Sequence, residues 1–340
     1  MSQFASVEAV RSPTLVGRSP LAFGLTALGM ALAAAVLAGW VPVRFSIVTV
    51  FLFAGPHNWL EFRYFLTRMP ARWGRLRGFF LLAFAGILGL SGSYAVLVYL
   101  FQNQHLGEDA WDILYPSWGT LLLFWIATLT HLRSRQNPRR EWGWVWPVCL
   151  GFVAVVWLFP VQWSLALVYL HPLVAFWLLD RELKRSRPEW RPAFHACLAC
   201  LPLLLGAVWW RLADAPPLPG DNDLTKAITN HAGAFVLPGV SSHLLVLTHT
   251  FLEMLHYGVW VLAIPLVGLR SAPWQLQRVP LARRSLPWRT GVAVFLACGL
   301  GVVAILWAGF LADYPTTRNI YFTVAMAHVL AEAPFLLRAL

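Results

Sequence analysis

Runs of about 20 apolar residues recur along the whole chain, most of them separated by short polar segments that carry arginine. That length is what a helix needs to cross a hydrocarbon core about 30 Å thick. A membrane β-barrel would show short alternating segments instead, and none is visible. The runs predict helical spans over 20–43, 45–66, 78–101, 111–132, 143–160, 161–180, 192–212, 241–269, 289–312 and 320–340. The longest polar connection, 213–240, falls outside the membrane on this reading. Residues 1–340 are therefore expected to form a single integral membrane domain, an all-α, polytopic transmembrane helix bundle of about ten spans with both termini cytoplasmic.

Two segments carry alternatives. The first apolar run, Leu21 to Trp40, follows Arg11 and Arg18 and contains Ala33-Ala34-Ala35. It is long for the core of a cleaved signal peptide, so an uncleaved first span is expected. The 213–240 loop opens with Pro216-Pro217-Leu218-Pro219-Gly220 and ends in Pro238-Gly239. A short interfacial helix between Asp223 and Val236 would make it either a lid over a pocket or a passive connector.

Composition supports the membrane reading. Hydrophobic residues make up 59% of the chain and charged ones 12%, with a mean hydropathy of +0.62; a soluble domain carries about twice that charge. The net charge of +11 would suit nucleic acid if it were concentrated, but it is spread over loops. Placing the N-terminus inside puts 22 of the 26 basic residues on that side, Arg11, Arg18, Arg139, Arg140 and Arg270 among them. Only Arg44, Arg211, Lys226 and Arg318 are left outside. Such a bias is expected of a multi-pass protein of the cell inner (cytoplasmic) membrane, with the lipid bilayer as its partner and no nucleic acid. Oligomeric state cannot be read. Cys197 and Cys200 form a C-x-x-C inside an apolar run with no second pair, so they read as packing residues.

Three carboxylates lie well inside the predicted spans, Glu61, Glu253 and Glu332, and each has a histidine four positions earlier: His57, His249 and His328. Four residues turn a helix by about 40°, so each pair shares a face. His256 follows Glu253 on the same stripe, and Glu253-x-x-His256 has the spacing used in di-iron and di-manganese carboxylate bundles. A lone carboxylate near mid-bilayer costs about 3 kcal/mol or more, which a cation or an imidazole partner would offset. The three spans run in the same direction. At about 1.5 Å per residue, all these side chains fall roughly 12–24 Å from the outer ends, and His171 of the sixth span about 15 Å.

His57, His249, Glu253, His256, His328 and Glu332 are thus candidate metal ligands, with Glu61, His171 and Asn58 as residues that orient them. Interhelical hydrogen bonding without a metal is the bland alternative. His131 and His195 are expected at the interface, His105 and His231 solvated in external loops, and His243 on another face.

The run Gly55-Pro56-His57-Asn58-Trp59-Leu60-Glu61, with the later histidine-bearing spans, resembles the Brp/Blh family of membrane β-carotene dioxygenases. Asn58 and the glutamates depart from the pattern, where aspartate is the usual acidic partner. The resemblance implies iron, Fe(II), and an apolar, lipid-dissolved small-molecule substrate, with His57, His249, His256 and His328 as ligands; the donor types also suit Mn or Zn. The leading reading is a membrane-embedded non-haem metal oxidoreductase, with carotenoid cleavage as one form of it. The alternatives are a transporter or proton-coupled channel with a His/Glu proton relay, and a bis-histidine haem protein, which leaves the carboxylates unused.

Overall fold

The computed structural model describes residues 19–135, 141–267 and 275–339. The N-terminal segment and Arg11, Arg18, Arg139, Arg140 and Arg270 from the charge count lie outside the described residues. Among those described, every regular element is helical. They are α1 Pro20–Trp40, α2 Pro42–Arg68, α3 Arg77–Gln102, α4 Glu108–Arg135, α5 Val145–Leu158, α6 Pro160–Ser186, α7 Arg191–Arg211 and α8 Asp223–His231. After α8 come α9 Ser242–Gly258, a π-helical turn Val259–Ala263 and α10 Ile264–Val267, which form one continuous rod, then α11 Leu286–Ala312 and α12 Tyr314–Ala339.

Proline sets several of these boundaries. α1, α2 and α6 each begin on a proline, where the missing N–H is not needed and the fixed φ suits the first turn. Pro42 and Pro160 thereby divide two long apolar stretches into the pairs α1/α2 and α5/α6.

Among the described residues, eight segments are long and apolar enough to cross a membrane: α1, α3, α4, α6, α7, the α9–α10 rod, α11 and α12. The two remaining helices at predicted spans fall short for different reasons. α5 has 14 residues, about 21 Å of rise. α2 has 27, but it carries His57, Asn58, Glu61 and Arg63.

α2, α6, α9 and α12 pack against one another at the centre. α1 covers α9 and is itself backed by α7; α3 and α4 back α12, with α5 outside α4; α11 closes α2 and α12. The α3–α4 contact is close because Gly86 has no side chain. A Cβ there would stand 1.9 Å from Nε1 of Trp125, whose indole donates to the Leu82 carbonyl at 2.9 Å. The outer helices turn large apolar side chains outward, Leu203, Trp210 and Leu311 among them. In water such a surface is a liability; in lipid it is the solvent-exposed surface.

Candidate metal centre

Four helices deliver the site. On α2, His57 and Glu61 sit one turn apart and are almost fully enclosed, at 1% and 0% exposure. His57 is fixed by its own helix, its Nδ1 lying 2.9 Å from the Phe53 carbonyl, so Nε2 is the nitrogen turned inward. It has no hydrogen-bond partner, and neither has either oxygen of Glu61. Pro56 precedes His57 within the helix. α9 contributes His256, α12 contributes His328 and Glu332, and all three are buried.

The imidazoles converge edge to face. The His57 ring centroid is 5.4 Å from that of His256 and 5.1 Å from that of His328. His171 of α6 closes the ring of rings, 4.6 Å from His256 and 5.2 Å from His328. One ligand atom from each of His57, Glu61, His256 and His328 lies within 4.8 Å of every other, and the same holds for His171, His256 and Glu332. No nitrogen of His256 or His328 makes an aligned hydrogen bond, although the Pro172 and Ala325 carbonyls stand beside their rings. His171 Nδ1 is 3.2 Å from Glu332 Oε2, out of line for a hydrogen bond, and Glu332 Oε1 has no partner.

A buried polar atom without a partner is rare because desolvation is not recovered. Here nine such atoms, on six side chains, gather in one cluster. All are metal-ligand types. At bond lengths near 2.1 Å, donors around one ion stand at most about 4.2 Å apart, so the first group fits after a contraction of a few tenths of an ångström. Charge fits as well: two carboxylates, Glu61 and Glu332, balance one divalent cation in surroundings that tolerate no net charge.

The other predicted residues form a separate group nearer the α8 end of the bundle, the outer end on the topology read from the sequence. His249 Nδ1 is 3.9 Å from Glu253 Oε2, and Glu253 Oε1 accepts a hydrogen bond from the Tyr257 hydroxyl at 2.8 Å. Neither residue belongs to the two ligand groups above. Glu61, first read as an orienting residue, instead offers a ligand atom. Asn58 turns away from the imidazoles and its Nδ2 donates to the Tyr321 hydroxyl at 3.5 Å. Tyr257 links the two layers, its ring 4.3 Å from that of His57.

Residues not anticipated as part of the site complete the outer group. His231, expected to be solvated, is half-buried: α8 presses its ring to 4.9 Å from His249 and 4.6 Å from Phe322. Burial, together with the nearby His249 and Arg318, holds its imidazole well below the ordinary histidine range, so it is neutral at pH 7. The helix anticipated from Asp223 ends at His231, and the chain then turns through Gly233 at φ +99°. Arg318 of α12 lies over Phe322 at 4.6 Å and is 5% exposed. A signal for Tyr321 was present: it stands seven residues before His328, two turns along the same face. Elsewhere, His243 Nε2 lies 2.8 Å from the Gly39 carbonyl and His195 Nε2 2.7 Å from Asp180. Cys197 donates to the Gly24 carbonyl at 3.3 Å, a packing role. Comparison of the chain with family models, with curated proteins and with solved structures finds no match.

Proposed function

We propose that this chain is a multi-pass inner-membrane protein with about ten spans and both termini cytoplasmic, and that it is a non-haem metal oxidoreductase acting on an apolar, lipid-like substrate. The observation that carries the proposal is the convergence of His57, Glu61, His256 and His328, each almost fully buried and each with at least one unpartnered ligand atom. Iron is the metal that best joins this donor set to redox chemistry.

Each residue has a task on this reading. His57, His256 and His328 bind the ion as neutral imidazoles, and Glu61 supplies negative charge. Glu332 orients His171 and brings the site to neutrality. Tyr257 packs against the His57 ring and holds it in place. The apolar walls around the cluster, including Phe65, Trp260 and Phe335 on the cytoplasmic side, exclude water and favour a substrate delivered from lipid. When bound, Fe(II) supplies open coordination positions and electrons for dioxygen chemistry. Cleavage of a polyene such as a carotenoid is the reaction that the family resemblance suggests.

A second reading, a proton-coupled transporter, draws on the row His249, Glu253, Tyr257, Tyr321 and Asn58, which runs from the outer end toward the imidazoles. Elemental analysis and a visible spectrum of the detergent-purified protein separate the two. Stoichiometric iron without a haem Soret band is expected; a protein that folds, is active in transport and never retains metal overturns the oxidoreductase.

A further inference from the structure

The outer group poses its own question, because one of its members is a buried cation without a counterion. Arg318 is 5% exposed, its Nε has no hydrogen-bond partner, and it forms no ion pair with any described carboxylate. Its guanidinium lies over the face of Phe322, 4.6 Å from the ring centroid. A guanidinium taken out of water without an acceptor is costly, and chains retain such a group where something binds it. The nearest negative side chain is Glu253, which acts on Arg318 only from beyond ion-pair distance and already accepts from Tyr257.

The surroundings of Arg318 describe the missing acceptor. Two imidazoles, His231 and His249, their rings 4.9 Å apart, stand near it and can offer N–H donors. α8 covers the group from outside. It is pinned there by Asn222, whose side chain caps its first turn at 2.8 Å from the Thr225 amide, and by buried Thr225, Ile228 and Thr229. The aromatic rings of Phe322 and Tyr314 also stand near Arg318. One positive charge, two imidazole donors and aromatic neighbours match a singly charged planar anion. A guanidinium grips a carboxylate with two parallel hydrogen bonds. A phosphate, carrying roughly −1.5 to −2 charge at pH 7, exceeds the single positive charge that Arg318 supplies.

We propose that Arg318, His231 and His249 form a carboxylate-binding site beneath α8, at the outer end of the bundle. Arg318 stands ten residues before His328 in α12, about 15 Å along the helix, so a long-chain carboxylate held there can extend toward the ligand cluster. That the bound carboxylate belongs to the substrate or product of the metal centre rests on the function proposed above. The binding site itself does not.

Calorimetric titration of the full chain in a non-ionic detergent tests the site, with laurate, acetate and methyl laurate as probes, before and after chelation of metal. Laurate should bind in both states, and Arg318→Gln should weaken it at least tenfold. Arg318→Lys should retain part of the affinity, and His231→Gln should lose about threefold. Methyl laurate, which has the chain without the charge, should not bind measurably. Acetate arms assign the source: weak acetate binding means the carboxylate arrives on a lipid chain, and acetate binding equal to laurate means a free water-borne carboxylate. Stability supplies the second readout. If Arg318 awaits a ligand, Arg318→Gln leaves the unliganded thermal midpoint unchanged or raises it; if it is a structural partner of Glu253, the midpoint falls. Laurate binding that is indifferent to Arg318→Gln, equal binding of methyl laurate, or a lowered midpoint overturns the proposal. Metal content enters none of these readouts, so the two proposals fail separately.

Discussion

Glu61 and Glu182 are the same residue type at nearly the same burial, 0% and 2% exposed, yet they are treated in opposite ways. Glu182 has more partners than it needs. It accepts from the Tyr64 hydroxyl at 3.0 Å and from Arg185 at 2.7 Å, and it forms a short ion pair with Arg68. Glu61 has none among the described residues, and the charged group that acts on it is a second carboxylate, Glu332. The chain therefore satisfies a buried carboxylate fully where its role is structural. Leaving another bare among imidazoles sets aside a position for something the polypeptide does not supply.

Substitutions can break this comparison, and the largest effect is expected at the imidazoles. His57→Gln, His256→Gln and His328→Gln should each lower bound metal more than tenfold, and Glu61→Gln should do the same, while Glu182→Gln leaves metal content at the wild-type level; elemental analysis of purified variants reads this out. Next in size is the effect of the metal on stability. With free metal at about 100 times Kd, thermal denaturation should show the wild type gaining about 2.7 kcal/mol over its chelated form, and Glu61→Gln should show no such gain. The third effect reverses the sign between the two glutamates. Glu182→Gln should destabilise the chelated protein by about 2 kcal/mol, less than a fully buried pair would lose because Arg185 is half-exposed. Glu61→Gln should leave the chelated protein as stable or more stable. The smallest effect concerns the outer group. Glu253→Gln and His249→Gln should keep most of the metal that His256→Gln loses, with each change in stability near 0.6 kcal/mol.

The helices were legible because apolar runs bounded by proline and arginine have few other solutions in lipid. The site was legible in part, because a histidine and a glutamate four apart declare a shared face. What the spacing could not do was separate depths. His249, Glu253 and His256 lie on one stripe of α9, yet His249 and His256 are seven residues, about 10 Å, apart along the axis. With helix ends uncertain by about 6 Å, the two layers merged into one in the sequence reading. Glu61 and His171 were assigned orienting roles because nothing local distinguishes a ligand from its neighbour; only the partners across helices do. His231 gave no sign of burial, since the packing of α8 depends on tertiary contacts with α9 and α2. The π-helical turn after α9 likewise has no local signature among Val259–Ala263.

The polar face of α2 also bears on how the protein is made. α2 is synthesised well before α9 and α12, whose side chains meet it; Asn58 and its partner Tyr321 are 263 residues apart. At about 5–20 residues per second, roughly a quarter of a minute to a minute separates their synthesis. During that interval His57, Asn58, Glu61 and Arg63 have none of those later helices against them, and α2 lacks the continuous apolar surface that would hold it in lipid alone. On the ten-span reading proposed above, its stable insertion should therefore be a late, post-translational event that depends on the helices from α9 onward. A nascent protein truncated before α9 should leave α2 at the membrane surface or in the keeping of the insertion machinery.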